Sequence, residues 1–181
     1  GDGISGPNST DPTNPCSFEI ANQTLTPSIL WLTSDCDGDG VTNGSEIDPD
    51  GDGVPGPNGT NPSNACDYTA SNQTLAPTPA WLALDCDGDG VINGTEIDPD
   101  GNGTIDPNGT DPQDPCSLNI LAQTVQVSPV WLTLDCDGDG VTNGKETDDN
   151  TDPNDGCSYL ATSKTLTPSA AWNALDCDGD G

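Results

Sequence analysis

The sequence predicts an elongated rod of small tandem repeats, mostly irregular loops with short β-strands and one- to two-turn helices, held by cross-links instead of one large core. Three observations predict it. Trp31, Trp81, Trp131 and Trp172 follow one another in steps of 50, 50 and 41 residues, the mark of an internal repeat. Eight cysteines fall into four pairs, Cys16 and Cys36, Cys66 and Cys86, Cys116 and Cys136, Cys157 and Cys177, each 20 residues apart. Only 30% of the 181 residues are hydrophobic, with 22 Gly, 17 Pro and a single Phe. A single core of that content does not offset chain entropy, and composition alone would class the chain as disordered. The repeats run over residues 1–40, 41–90, 91–140 and 141–181, the last with a shortened connector.

Each repeat has two parts, a cysteine-bounded module and an acidic, Gly-rich connector. The module's constant length, beside connectors of variable length, favours a disulfide within each module: Cys16 with Cys36, Cys66 with Cys86, Cys116 with Cys136 and Cys157 with Cys177. Such a bridge closes a loop of about 20 residues and contributes roughly 3 kcal/mol. The alternative is free thiols or a zinc site, against which the absence of His and of any CxxC pair counts. Phe18, Ile20 and Leu25, and Leu118, Ile120, Val125 and Val127, alternate in part, which predicts one or two short strands. Ser or Thr before Pro and an apolar run, as in TPSILW and SPVWLTL, then reads as a capped helix of one or two turns carrying the Trp. In a chain this poor in large apolar residues the Trp reads as miniature core, with a ligand platform as the alternative.

The second Cys of each pair stands inside a repeated acidic stretch: DCDGDGVTNGSE from Asp35, DCDGDGVINGTE from Asp85, DCDGDGVTNGKE from Asp135, and DCDGDG from Asp176. Acids at positions 1, 3 and 5, Gly at 6, Asn at 9 and Glu at 12 form the calcium-loop pattern of an EF-hand. Alternate residues of a tight loop turn their oxygens inward, and Ca²⁺ takes six to eight of them. The expected ligands are Asp35, Asp37, Asp39, the Val41 carbonyl, Asn43 directly or through water, and Glu46. Their counterparts are Asp85, Asp87, Asp89, Val91, Asn93 and Glu96, then Asp135, Asp137, Asp139, Val141, Asn143 and Glu146, then Asp176, Asp178 and Asp180.

The connector carries a second acidic element, DPDGDGVPGPNGTNP from Asp48 and DPDGNGTIDPNGTDP from Asp98, with an opening copy that includes Asp2 and Asp11. Its position 12 is Gly59 or Gly109. It is either a second cation site, built from Asp48, Asp50, Asp52 and Val54, or Asp98, Asp100, Asn102, Thr104 and Asp106, or an acidic turn. In the first case Asn61, Asp111 and Asp11, at position 14, complete the shell, Asp48 and Asp98 are shared with the preceding loop, and each 50-residue repeat holds about two calcium ions. The 41-residue repeat lacks the element. No helical pattern follows Glu46, Glu96 or Glu146 and the chain has no Met, so the Met-lined groove of a calcium sensor is not expected.

The net charge of −29, with Lys145 and Lys164 against 31 acids, excludes nucleic acid and anionic membrane surfaces as direct partners. No apolar run is long enough to span a membrane. Without His or Arg, no general base or oxyanion clamp assembles from the usual parts, and no enzyme is expected. Of eight N-x-[ST] sequons, Asn22 and Asn72 lie outside the acidic loops and are the candidates for glycosylation.

The DxDGDGVTNGxE stretch of Asp35 to Glu46, with GTDPxxPC as in Gly109 to Cys116, resembles thrombospondin type 3-like calcium repeats. CSYLATSKTLTPSAAWNALDCDGDG, from Cys157, resembles tandem repeats of large secreted or surface-anchored Bacteroidota proteins. The resemblance covers essentially the whole chain. It implies calcium-dependent packing of successive repeats into an extracellular stalk or fibre, with ligand roles on Asp35, Asp37, Asp39, Asn43, Glu46 and their counterparts. The partners it implies are neighbouring repeats, with self-association into filaments as a further step. A calcium-dependent adhesin module binding glycan or protein is the alternative. The 20-residue Trp module departs from thrombospondin, and the absence of a long helix after the loop departs from dockerins.

Overall fold

Single turns make up nearly all the regular structure, as a chain punctuated by glycine and proline dictates. The structure, a computed structural model, describes residues 11, 13–18, 25–53 and 55–179. Asp2, Asn22, Val54 and Asp180 lie outside the described residues. The chain divides into two compact units, Gly1–Trp81 and Leu82–Gly181, built from the same parts. The helices are α1 (Ile29–Leu32), α2 (Asn43–Ile47), α3 (Pro79–Leu82), α4 (Asn93–Ile97) and α5 (Asn143–Asp149). Single 3-10 turns stand at Ala70–Asn72, Ile120–Ala122, Trp131–Thr133, Ala161–Ser163 and Trp172–Ala174.

Every cysteine is disulfide-bonded. Cys16 pairs with Cys36, Cys116 with Cys136 and Cys157 with Cys177, with Cα separations of 5.2, 5.2 and 5.3 Å; Cys66 and Cys86 are each disulfide-bonded as well. Two successive side-chain turns deliver the first cysteine of each pair. Asp11, Asn61, Asp111 and Asp152 accept the N–H two residues on, and Asn14, Asn64, Asp114 and Asp155 accept the cysteine N–H in the same way. Short Asx side chains favour this turn because their oxygen reaches the backbone locally.

Among the described residues no strand forms, which corrects the expected one or two strands. Ile20 lies outside the described residues; in the three later modules the segment after the first cysteine closes into a 3-10 turn, and the extended stretch beyond it bonds to the acidic loop of the preceding repeat. Thr74 and Leu75 both donate to the Gly40 carbonyl at 3.0 Å, and Thr78 donates to that of Gly38 at 2.9 Å. Pro77 and Pro79 remove donors that a ladder would need.

The Trp-bearing helix is a single turn, and a hydroxyl caps it in every module. Ser28, Thr78, Ser128 and Ser169 accept the N–H of Trp31, Trp81, Trp131 and Trp172 at 3.3, 3.3, 3.0 and 3.0 Å. The cap follows Pro27 and Pro168 but precedes Pro79 and Pro129, so proline is not always the first helical residue. Trp31, Trp81 and Trp131 are buried, which places them in miniature cores. The indole N–H of Trp81 donates to the Ala65 carbonyl at 2.8 Å and that of Trp131 to the Pro115 carbonyl at 2.9 Å. Phe18, Tyr68 and Tyr159 meet their module's Trp edge to face, with centroids 5.0, 5.5 and 5.7 Å apart. In the third module Leu118 takes the aromatic's place, and Val91 of the preceding loop completes the cluster with Trp131.

Candidate metal centre

In the acidic loops the first Asp supports the backbone, while those at positions 3 and 5 use one oxygen in this way and leave the other over. Asp35 accepts the N–H of Gly38 through Oδ1 at 2.7 Å and that of Gly40 through Oδ2 at 3.0 Å. Asp37 Oδ1 accepts from Asp39 at 3.4 Å, and Asp39 Oδ1 accepts from Val41 at 2.8 Å. Gly40 sits at φ +92, where a side chain would be strained. The same bonds recur from Asp85, and from Asp135 apart from the one to Gly138.

What is left over is buried carboxylate oxygen without a donor. Asp39, Asp89 and Asp139 are 0% exposed, and Glu46, Glu96 and Glu146 at most 1%. Among the described residues Asp37 Oδ2, Asp39 Oδ2 and Glu46 Oε2 have no hydrogen-bond partner, nor do Asp87 Oδ2, Asp89 Oδ2 and Glu96 Oε2. In the third loop Asp135 Oδ1, Asp137 Oδ2, Asp139 Oδ2 and both oxygens of Glu146 stand alone. Carboxylate oxygens of Asp35, Asp37 and Asp39 lie within 4.8 Å of one another, as do those of Asp85, Asp87 and Asp89, and of Asp135, Asp137 and Asp139. At such separations each pair of charges repels by about 3 kcal/mol at an effective dielectric of about 20. Burial therefore pushes Glu46 up to about 9, with repulsion from Asp37 and Asp39 adding to it, and Glu96 and Glu146 up to about 8. Burial likewise raises Asp39 and Asp87 to about 7. These clusters can hold a metal ion, and the donor set is all oxygen.

Glu46 is held in place by the connector. Thr60 donates its N–H to the Glu46 carbonyl at 2.8 Å and its hydroxyl to Oε1 at 3.4 Å; Thr110 does the same for Glu96, at 2.9 and 3.1 Å. In the short repeat Thr151 gives its N–H to the Glu146 carbonyl, and Asn150, at φ +57, caps α5 in the left-handed region.

Position 9 supports the scaffold of the loop. The buried amide of Asn43 turns to the cysteine and the tryptophan: Oδ1 accepts the Cys36 N–H at 3.1 Å, and Nδ2 donates to the Trp31 carbonyl at 2.9 Å and to Cys36 Sγ at 3.2 Å. Asn143 makes the same three bonds, and Asn93 binds Cys86 through both ends. Each amide thus clamps the scaffold of its loop. Val41, Val91 and Val141 are buried, and their N–H groups support Asp39, Asp89 and Asp139.

The second acidic element has the same backbone logic on the surface. Asp48 accepts from Asp52 and Gly53, and Asp98 from Asn102 and Gly103. Oxygens of Asp48, Asp50 and Asp52 lie within 4.8 Å of one another, but Asp50 and Asp52 are exposed. Asp100 supports Asn102, whose Oδ1 accepts from Thr104, while Asp106 accepts from Asn108. Asn61, Asp111 and Asp11 form the turns that lead into the next module. The chain instead bends back onto the first loop: a Cβ at Gly59 would meet the Glu46 carbonyl at 2.7 Å, and one at Gly109 that of Glu96 at 2.4 Å. Asp176 and Asp178 are exposed, Asp176 accepting from Gly179, and Asn72 is half-buried at the end of its 3-10 turn.

One role escapes sequence reasoning altogether. Gln73 Nε2 donates to the Asp39 carbonyl at 2.6 Å and Gln123 Nε2 to that of Asp89 at 2.5 Å, so each module grips the preceding loop by a side chain as well as by backbone. The signal was the repeated Gln-Thr, replaced by Lys164-Thr165 in the last module. Lys164 there lies over the rings of Tyr159 and Trp172, 3.8 and 3.5 Å from their centroids.

Compared with protein-family models, curated proteins and solved structures, the chain matches none. The disulfides fit an oxidising compartment, and no helix among the described residues is long and apolar enough to cross a membrane.

Proposed function

We propose that this chain is an extracellular structural array in which calcium is an architectural staple, giving a stiff stalk or fibre. One observation carries the reading: each complete acidic loop has two faces at work. On one, buried carboxylate oxygens have no hydrogen-bond partner among the described residues. On the other, carbonyls of the same loop receive the next module, Gly40 from Thr74 and Leu75, Gly90 from Thr124 and Val125, and Gly140 from Thr165 and Leu166. A cation that fixes the loop therefore fixes the docking of the module that follows.

Calcium suits the donor set, because hard oxygens in a loop with a closing Glu at position 12 match its coordination habit. Asp at positions 1, 3 and 5 and that Glu would hold it. Affinity in the range of extracellular modules, about 10⁻⁴ to 10⁻³ M, is sufficient for a permanent staple outside the cell. The three buried loops are the principal sites, and the exposed Asp48, Asp50 and Asp52 cluster is a weaker one. The resemblance to thrombospondin type 3-like and Bacteroidota surface repeats supports the same reading. Lacking His and Arg, the chain is proposed to have no catalytic role.

The test is small-angle X-ray scattering and limited proteolysis of the oxidised chain, in millimolar calcium and then in chelator, beside a calorimetric calcium titration. The expected result is an extended, protease-resistant particle that loosens and is cut in its connectors when calcium is removed. A shape and digestion pattern indifferent to calcium would overturn the proposal.

A further inference from the structure

We propose that the position-9 asparagines are positioning residues that couple each module's disulfide to its cation loop, so that metal binding and reduction of the bridge oppose each other. The proposal rests on the calcium reading of the loops and adds a regulation to it. Asn143 shows the geometry. Its side chain is 0% exposed. Oδ1 accepts the Cys136 N–H at 3.1 Å, while Nδ2 donates to Cys136 Sγ at 3.2 Å and to the Trp131 carbonyl at 3.1 Å. Its own N–H donates to the Leu134 carbonyl at 2.8 Å.

Cys136 stands between Asp135 and Asp137, two of the carboxylates that face the cation, and its sulfur is bonded to Cys116. Asn143 opens α5, which carries Glu146. One amide therefore ties the start of the acidic loop to its closing residue, with a disulfide sulfur as one of its anchors. The contact to Sγ is 3.2 Å in all three complete loops.

Reduction by glutathione transfers two electrons and two protons to the bridge, yielding two cysteine thiols and one glutathione disulfide. The Cys136 side chain is then free to rotate, Nδ2 loses a fixed acceptor, and the backbone between Asp135 and Asp137 loses its covalent hold. Coupling is reciprocal: if reduction weakens calcium binding by a factor, calcium makes reduction harder by the same factor. Couplings of this kind run from about 5-fold to 150-fold. About tenfold is expected here, equivalent to about 30 mV for a two-electron couple.

The test equilibrates the full chain in glutathione redox buffers with millimolar calcium or with chelator, and reads each bridge by alkylation and mass spectrometry. Calorimetry on the same samples measures calcium binding. The expected result is a midpoint for Cys116 and Cys136 about tenfold more resistant to reduction in calcium, with the shift falling below about twofold in Asn143→Ala. Independently of any variant, calcium affinity of the wild-type chain should drop by the same factor on reduction. Calcium that binds while the midpoint stays put overturns the coupling and leaves the staple reading standing. A full shift retained in Asn143→Ala overturns the role of the asparagine. No calcium binding at all overturns the reading of the loops themselves.

Discussion

Replacing Gly90 by alanine tests whether the acidic loop and the next module form one mechanical joint. Gly90 lies at φ +93, where an L-residue costs about 1–2 kcal/mol. The new Cβ would also stand 2.9 Å from Val127 Cγ1 and 3.1 Å from the Val125 carbonyl. Relief requires the module to retreat, which gives up the bonds from Thr124 at 2.8 Å and Val125 at 3.1 Å, worth about 0.5–1.5 kcal/mol each. The total is about 2–5 kcal/mol. Gly101→Ala is the matched control, since Gly101 lies at φ +69 with nothing within 4 Å and should lose only the backbone share. Scanning calorimetry of both variants in calcium reads the difference, at about 4–8 °C per kcal/mol for a unit of this size. Equal melting temperatures for the two variants would refute the joint.

Three further outcomes follow from the same structure. Without metal, stability should fall as pH rises: Glu46, Glu96 and Glu146, held up at about 9, 8 and 8 by burial, keep protons that the unfolded chain releases above about 4.5, so their contribution is complete below that pH and lost as pH passes 8 to 9. Saturating calcium should flatten that dependence and release protons at neutral pH, measurable by melting curves across pH and by titration in buffers of different ionisation enthalpy. Thr110→Val, which removes the hydroxyl from Glu96 Oε1 but keeps the N–H on its carbonyl, should weaken calcium binding at the second loop about 2-fold to 10-fold by calorimetry, and an unchanged affinity would mean that the hydroxyl does not orient the carboxylate. Lys164→Gln restores the residue of the other modules and removes a cation that lowers the Asp139 pKa against its burial, so the third loop should bind calcium about 2-fold to 5-fold more tightly.

The acidic loops are legible in the sequence because the chemistry is written in the spacing: Asp at alternate positions and Gly at the turn leave few other ways to fold. The same holds for the cysteines, whose constant separation stands beside variable connectors. Asn43 is illegible for a physical reason. An amide serves equally as ligand and as clamp, and its bonds to Cys36 and Trp31 exist only once the chain has folded. The strands failed similarly. Val125 and Val127 alternate as a strand does, but their segment finds its acceptor in Gly90 and not in a neighbouring strand. Asn61 and Asp111 read as ligands by composition, and the turn that each closes two residues on is seen only in the fold.

The connector threonine meets the carbonyl of the closing glutamate whatever lies between them. Thr60 and Thr110 are 14 residues beyond Glu46 and Glu96, whereas Thr151 is 5 beyond Glu146, and all three N–H groups arrive at 2.8 to 3.0 Å. The intervening stretch is an outward excursion whose endpoints are pinned. Segments can be inserted or deleted there without disturbing the register of the modules on either side, so the connector is the natural place to graft a foreign loop, an affinity tag or a spectroscopic label.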